Sequence, residues 1–239
     1  MDPEVTEAAR VLRQQWARLD TWLRDLDESG ALDDGITERP SVLDGWTLGQ
    51  LVSHLGRAMT ALTAASPVPA GTHPLTLAEY LGTYPARAEE VADATRELDA
   101  DLGLDRLTGV GRLAQAAFAR LDELAGETIV QARRGPLTLR DMVVSRTVEL
   151  VVHADDLARS APEIGSDPVD PQALAAVADE LLRIVVARGG WRLTVADPLL
   201  WVRLATGRQP YDVDELARAL APAHTSEAVP DLGRMLPLL

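Results

Sequence analysis

The same start signal occurs twice in this chain, in WTLGQL (residues 46–51) and in LTLRDM (residues 137–142), and no other feature constrains the fold as strongly. In each, a threonine stands where a helix N-cap belongs (Thr47, Thr138). A residue able to answer it follows three positions later (Gln50, Asp141), and apolar residues flank the cap (Trp46 and Leu51, Leu137 and Met142). Such a signal satisfies the orphan amides of a first turn and fixes where the helix enters. Two long helices are therefore predicted, one from Thr47 to about residue 65 and one from Thr138 to Ser160.

Other segments read the same way. Leu12, Trp16, Leu19, Leu23 and Leu26 recur at helical spacing over residues 5–28, and DESGAL ends that run. Thr76, with Glu79 three residues on, opens a helix that Pro85 should kink or split before it continues towards residue 100. A shorter helix is expected over residues 110–124, and SPVPAGTHP is read as a loop. APEIGSDPVDP, rich in Pro, Gly and acids, has the composition of a linker. Beyond it Asp170 and Pro171 start a helix to about residue 188. GGWRLTVADP gives a turn and a short strand, Asp197 and Pro198 another helix start, and ATGRQP a turn. Asp212 caps a last helix through about residue 220. The expected class is α+β, with a helical domain over residues 1–160 and a smaller α/β domain over residues 165–239.

Composition removes several kinds of chemistry. The chain has no cysteine, so it forms no disulfide and offers no thiolate, and any metal must be held by His and carboxylate. It has no lysine either, which excludes Schiff-base catalysis. The formal charge of −14 argues against nucleic acid and anionic membrane as partners. Neither part escapes this: residues 1–160 hold 16 Arg against 26 acids, and residues 161–239 hold 7 against 11. With no long apolar run and an acidic start, MDPEVTEAAR, the chain is expected to be cytoplasmic.

One helix carries the candidate chemistry. In VVSRTVELVVHADDLARS (143–160), Arg146, Glu149, His153 and Asp156 line up at steps of three, four and three, and Val and Leu cover most of the remaining circumference. Side chains four apart on a helix have Cβ atoms about 5–6 Å apart, so Glu149 and His153 can reach one ion. That stripe faces either water, as an Arg–Glu and a His–Asp pair, or a polar cavity. Of the four histidines, His73 lies in a Pro/Gly loop and His224 in the polar tail, while His54 stands at the edge of the apolar face of the second helix. His54 reads either as a buried edge histidine bonded to a neighbour or as a third ligand supplied by a facing helix.

DGWTLGQLVSHL and VELVVHADDLA resemble the two metal motifs of the DinB-like superfamily, closest to the mycothiol-dependent maleylpyruvate isomerase branch. The resemblance spans roughly residues 1–160 and implies a four-helix bundle in which His54, Glu149 and His153 hold a divalent ion, zinc by preference, with Asp156 behind them. It also implies mycothiol as the external thiol, which suits a chain without cysteine. Residues 165–239 are similar, more loosely, to the sterol-carrier-like C-terminal domain of that branch; Arg203 and Arg208 are the candidates there for an arginine reaching the substrate, with Arg208 the better surface residue because it sits in a turn. Arg57 and Arg146, each three residues from a proposed ligand, either bind substrate carboxylates or pair with neighbouring acids.

A dication in such a site lowers the pKa of a bound thiol or water. A thiolate can add to an activated C=C bond, allow rotation about the resulting single bond and leave again, which is cis–trans isomerisation; displacement of a leaving group would make the enzyme an S-transferase. Two other classes stay open at this point, a metal-dependent hydrolase and a non-catalytic binding protein with a ligand in its C-terminal domain.

Overall fold

The computed structural model describes residues 2–28, 37–224 and 228–239. Helix α1 (Pro3–Glu28) buries Leu12, Leu19, Leu23 and Leu26, with Trp22 beside them and Trp16 half-buried. The DESGAL stretch expected to end it runs into residues 29–36, which lie outside the described residues. Helix α2 (Leu48–Thr63) begins with the full reciprocal cap: Thr47 accepts from the Gln50 amide, and the Gln50 side chain accepts from the Thr47 amide. Helices α3 (Leu77–Leu81) and α4 (Ala88–Leu102) are the two pieces of the segment that Pro85 splits, joined by a 3-10 turn over Pro85–Arg87. Helix α5 (Arg106–Glu123) precedes α6 (Leu139–Ser160), whose cap Thr138 accepts from the Asp141 amide at 3.0 Å. Helices α1, α2, α5 and α6 form the bundle, with α2 packed on α5 and α6, and α1 on α6.

A small sheet was not legible in the sequence. Strands β1 (Ser66–Pro67), β2 (Ile129–Ala132) and β3 (Gly135–Thr138) run antiparallel in that order, with Ala132 opposite Gly135. The turn between β2 and β3 is Arg133–Arg134. Gly135, which closes it, has φ +134°, a conformation open to glycine, and a Cβ there would lie 2.7 Å from Leu75. Strand β3 then passes into α6 at Leu139 with no intervening loop.

The remaining elements are α7 (Pro171–Gly189), β4 (Leu193–Val195), α8 (Pro198–Ala205), α9 (Val213–Ala219) and β5 (Leu220–Pro222), with β5 antiparallel to β4. This is the small α/β part expected, and β5 is an addition to it. The segment read as a linker is fastened to α1: Gln15 bonds the Pro168 carbonyl and the Asp170 amide, Arg18 the Asp167 carbonyl, and the Trp22 indole the Ser166 carbonyl. Helix α7 packs on both α1 and α6, and the buried apolar side chains of both parts form one continuous core.

Candidate metal centre

The stripe on α6 faces inward. Arg146, His153 and Asp156 are buried, and Glu149 is nearly so. Opposite them, α2 presents His54, buried at the edge of its apolar face as its helical position requires. His54 Nε2 lies 3.5 Å from Glu149 Oε2, and His153 Nε2 lies 3.4 Å from the same oxygen. The imidazole planes stand nearly perpendicular, with ring centroids 4.5 Å apart, and Trp46 stands edge-on to His54 at 5.2 Å. Donor atoms of His54, Glu149 and His153 all lie within 4.8 Å of one another.

Hydrogen bonding at the other ring nitrogens fixes which lone pairs point inward. His54 Nδ1 is 3.1 Å from Thr95 Oγ1, and that hydroxyl donates its own proton to the Val91 carbonyl. The Thr95 oxygen therefore accepts, Nδ1 carries the hydrogen, and Nε2 of neutral His54 turns a lone pair towards Glu149. His153 Nδ1 is 3.0 Å from Asp156 Oδ2, a carboxylate that only accepts, so Nε2 of neutral His153 does the same. Two imidazole lone pairs and a carboxylate oxygen then face one another in a buried space, an arrangement that a cation among them would satisfy. The donor set fits a metal. Ligands bonded at about 2.0–2.1 Å in a tetrahedron sit ~3.3–3.4 Å apart, close to the two separations between Glu149 and the imidazoles.

The protonation preferences point the same way. Burial, and next the neighbouring His153, push His54 down to about 4, so it is neutral at pH 7. Burial alone would raise Glu149, yet the adjoining imidazoles of His153 and His54 and the nearby Arg146 hold it well below the usual carboxylate range. Burial also opposes charge on His153, but Asp156 and Glu149 outweigh it and raise that imidazole. Asp156, whose burial works against ionisation, is drawn down to about 2 by His153 and Arg208.

A cavity of about 460 Å³ opens onto these residues. Arg57 lines it, with its Nε buried and lacking a hydrogen-bond partner. Arg146 lines it too, donating to the Ala58 carbonyl at 3.0 Å and the Tyr84 hydroxyl at 2.7 Å, with Glu149 4.0 Å away. The two C-terminal arginines exchange the roles suggested by sequence. Arg203 is held by Asp155 through bonds of 2.9 and 2.6 Å and does not line the cavity. Arg208, despite its turn, does line it, and sits 3.2 Å from Asp156. His73 and His224 are exposed, away from the cluster. Thr95, Tyr84 and the turn Arg133–Arg134 also belong to the site and were not anticipated; the doubled arginine before a glycine, just upstream of the α6 cap, was the visible signal.

A helical bundle with a buried His₂Glu cluster between facing helices defines the DinB-like class. Residues 12–158, well over half of the chain, match the model of the mycothiol maleylpyruvate isomerase N-terminal domain, and the protein belongs to that family. No curated protein and no solved structure matches the chain. No helix among the described residues is long and apolar enough to cross a membrane.

Proposed function

We propose that the protein is a divalent-metal enzyme, zinc by preference, that uses mycothiol on a small carboxylate-bearing substrate, as a cis–trans isomerase or S-transferase in the cytoplasm. Residues 1–160 would supply the ligands His54, Glu149 and His153, and residues 165–239 a domain that completes the cavity wall through Arg208. What carries this reading is that both Nδ1 atoms are already engaged, by Thr95 and by Asp156, so both Nε2 lone pairs are turned onto one carboxylate. A bound dication would lower the pKa of a thiol at neutral pH. The chain's own part is positional: Thr95 and Asp156 orient the imidazoles, Arg146 keeps Glu149 ionised, and Trp46, Tyr84 and Val152 give the cavity apolar surface. Arg57, its Nε unpartnered, faces the substrate.

Elemental analysis of purified protein, beside turnover of maleylpyruvate and of an alkyl electrophile with and without mycothiol, tests the reading. One metal per chain, lost in His54→Ala, together with thiol-dependent turnover is expected. Metal retained in His54→Ala would remove the ligand set, and hydrolysis products formed without thiol would make the protein a hydrolase.

A further inference from the structure

The chain carries a formal charge of −14, yet six arginines line this one cavity: Arg57, Arg87, Arg133, Arg134, Arg146 and Arg208. Only three acids, Asp44, Glu90 and Glu149, line it with them. Three of the arginines have carboxylate neighbours: Arg87 has Glu90 at 3.3 Å, Arg146 has Glu149 at 4.0 Å and Arg208 has Asp156 at 3.2 Å. Among the described residues the other three have no carboxylate within 4.0 Å, although Glu149 and Glu90 act on Arg57 from farther away, and Arg133 is exposed. Arg133 donates to a neutral hydroxyl, Thr60 Oγ1, at 3.1 Å. Arg134 lies over the rings of Tyr84 and Tyr80, 4.1 and 5.7 Å from their centroids. Arg57 keeps a buried Nε with no partner.

Gathering three guanidinium groups without an anion is unfavourable, and elsewhere this chain pairs its arginines with an acid a turn away, as in Arg10–Glu7, Arg120–Glu123 and Arg218–Glu215. Here the positions are imposed. The turn between β2 and β3 places Arg133 and Arg134 side by side, the Thr60 hydroxyl draws Arg133 to α2 one turn beyond Arg57, and the face of Tyr84 orients Arg134. Burial first, and next the repulsion of Arg133, make the charge on Arg57 harder to hold. An arriving anion relieves that repulsion and gains charge-assisted hydrogen bonds from donors already in place.

We propose that Arg57, Arg133 and Arg134 form a subsite for a small dianion, a phosphate monoester or a pair of carboxylates, on the hairpin side of the cavity. The subsite deepens the functional reading above, since its occupant would be part of the substrate of the same cavity. A dianion is favoured over a monoanion because three guanidinium groups without a close carboxylate face it. Phosphate and dicarboxylate present the same paired ionised oxygens, and titration separates them.

The test is calorimetric titration of metal-loaded full-length protein with inorganic phosphate, succinate and acetate at low ionic strength. At least one of the two dianions should bind, the tighter one naming the source, with acetate weaker by about tenfold or more. Arg133→Gln/Arg134→Gln, and separately Arg57→Gln, should weaken the dianion by about tenfold or more while leaving metal content and the far-ultraviolet spectrum unchanged. In His54→Ala the dianion should still bind and should still be weakened by the arginine substitutions, which separates this subsite from anion held by metal. Dianion affinity unchanged in both arginine variants, acetate binding as tightly, or no dianion binding at all would overturn the proposal. Wild-type protein that takes up no metal, with dianion binding that still depends on these arginines, would instead overturn the metal reading and leave the subsite standing.

Discussion

Helix α6 carries two buried polar clusters about one turn apart, and they are built on opposite principles. Towards its C-terminal end, Asp155 and Asp156 meet Arg159, Arg203 and Arg208, and each carboxylate has a guanidinium within 3.2 Å. One turn earlier, His54, Glu149 and His153 turn acceptors towards one another. Burial alone does not distinguish them, since Asp156 is more enclosed than His153. What separates them is whether the cluster satisfies itself: the first is a structural ion-pair network, and the second gathers acceptors that a cation could complete.

The contrast is broken most severely at the incomplete cluster. Glu149→Gln and His153→Ala should each abolish stoichiometric metal by elemental analysis and abolish thiol-dependent turnover. Because the side-chain amide introduced by Glu149→Gln can donate to an imidazole, that variant should be no less stable than metal-stripped wild type in urea unfolding. Asp156→Asn strikes the network and the metal ligand together. It leaves Arg208 and Arg159 without that charge, costing about 3 kcal/mol in urea unfolding, and it lowers metal affinity by ~10–100-fold in competition with a chelator. Stripping the metal from wild type should reduce unfolding free energy by roughly 3 kcal/mol relative to protein in a hundredfold excess of metal over its Kd.

Acid sharpens the same comparison. His153 and Arg159 on α6, and Arg208 from the turn after α8, face Asp156 and hold it down to about 2. Its contribution to stability is complete above about pH 4 and is lost as pH falls towards 2, on the order of 2 kcal/mol in metal-free protein. The Asp156→Asn variant should lack that part of the acid dependence. The smallest effect belongs to Arg203→Ala, at the half-buried rim of the network: about 1 kcal/mol or less in urea, with metal content unchanged.

The helices were legible because their signals are local. Thr47 with Gln50, Thr76 with Glu79, Asp170 with Pro171 and Asp197 with Pro198 each announce a first turn from adjacent residues. The hairpin was not, since its strands are four residues each and GPLT carries the Gly and Pro that ordinarily signal a loop. Glu149 and His153 could be paired from spacing alone, but joining them to His54 across 95 residues needed the resemblance of two motifs. The reversal of Arg203 and Arg208 was unreadable. Both flank one turn, and which of them reaches the cavity depends on Asp155 and Asp156 pointing to different sides of α6.

The join at Leu139 has a further consequence. With strand passing straight into helix, the arginine tip and the Glu149–His153 pair belong to one stiff arm with no slack between them. With the proposed subsite occupied, the arm would act as a caliper: a molecule gripped at its charged end by the tip would present whatever lies a set length away to the histidines. Chain length, more than chemical detail at the reacting carbon, would then decide which compounds are turned over, and a homologous series differing by single methylenes should show one sharp optimum.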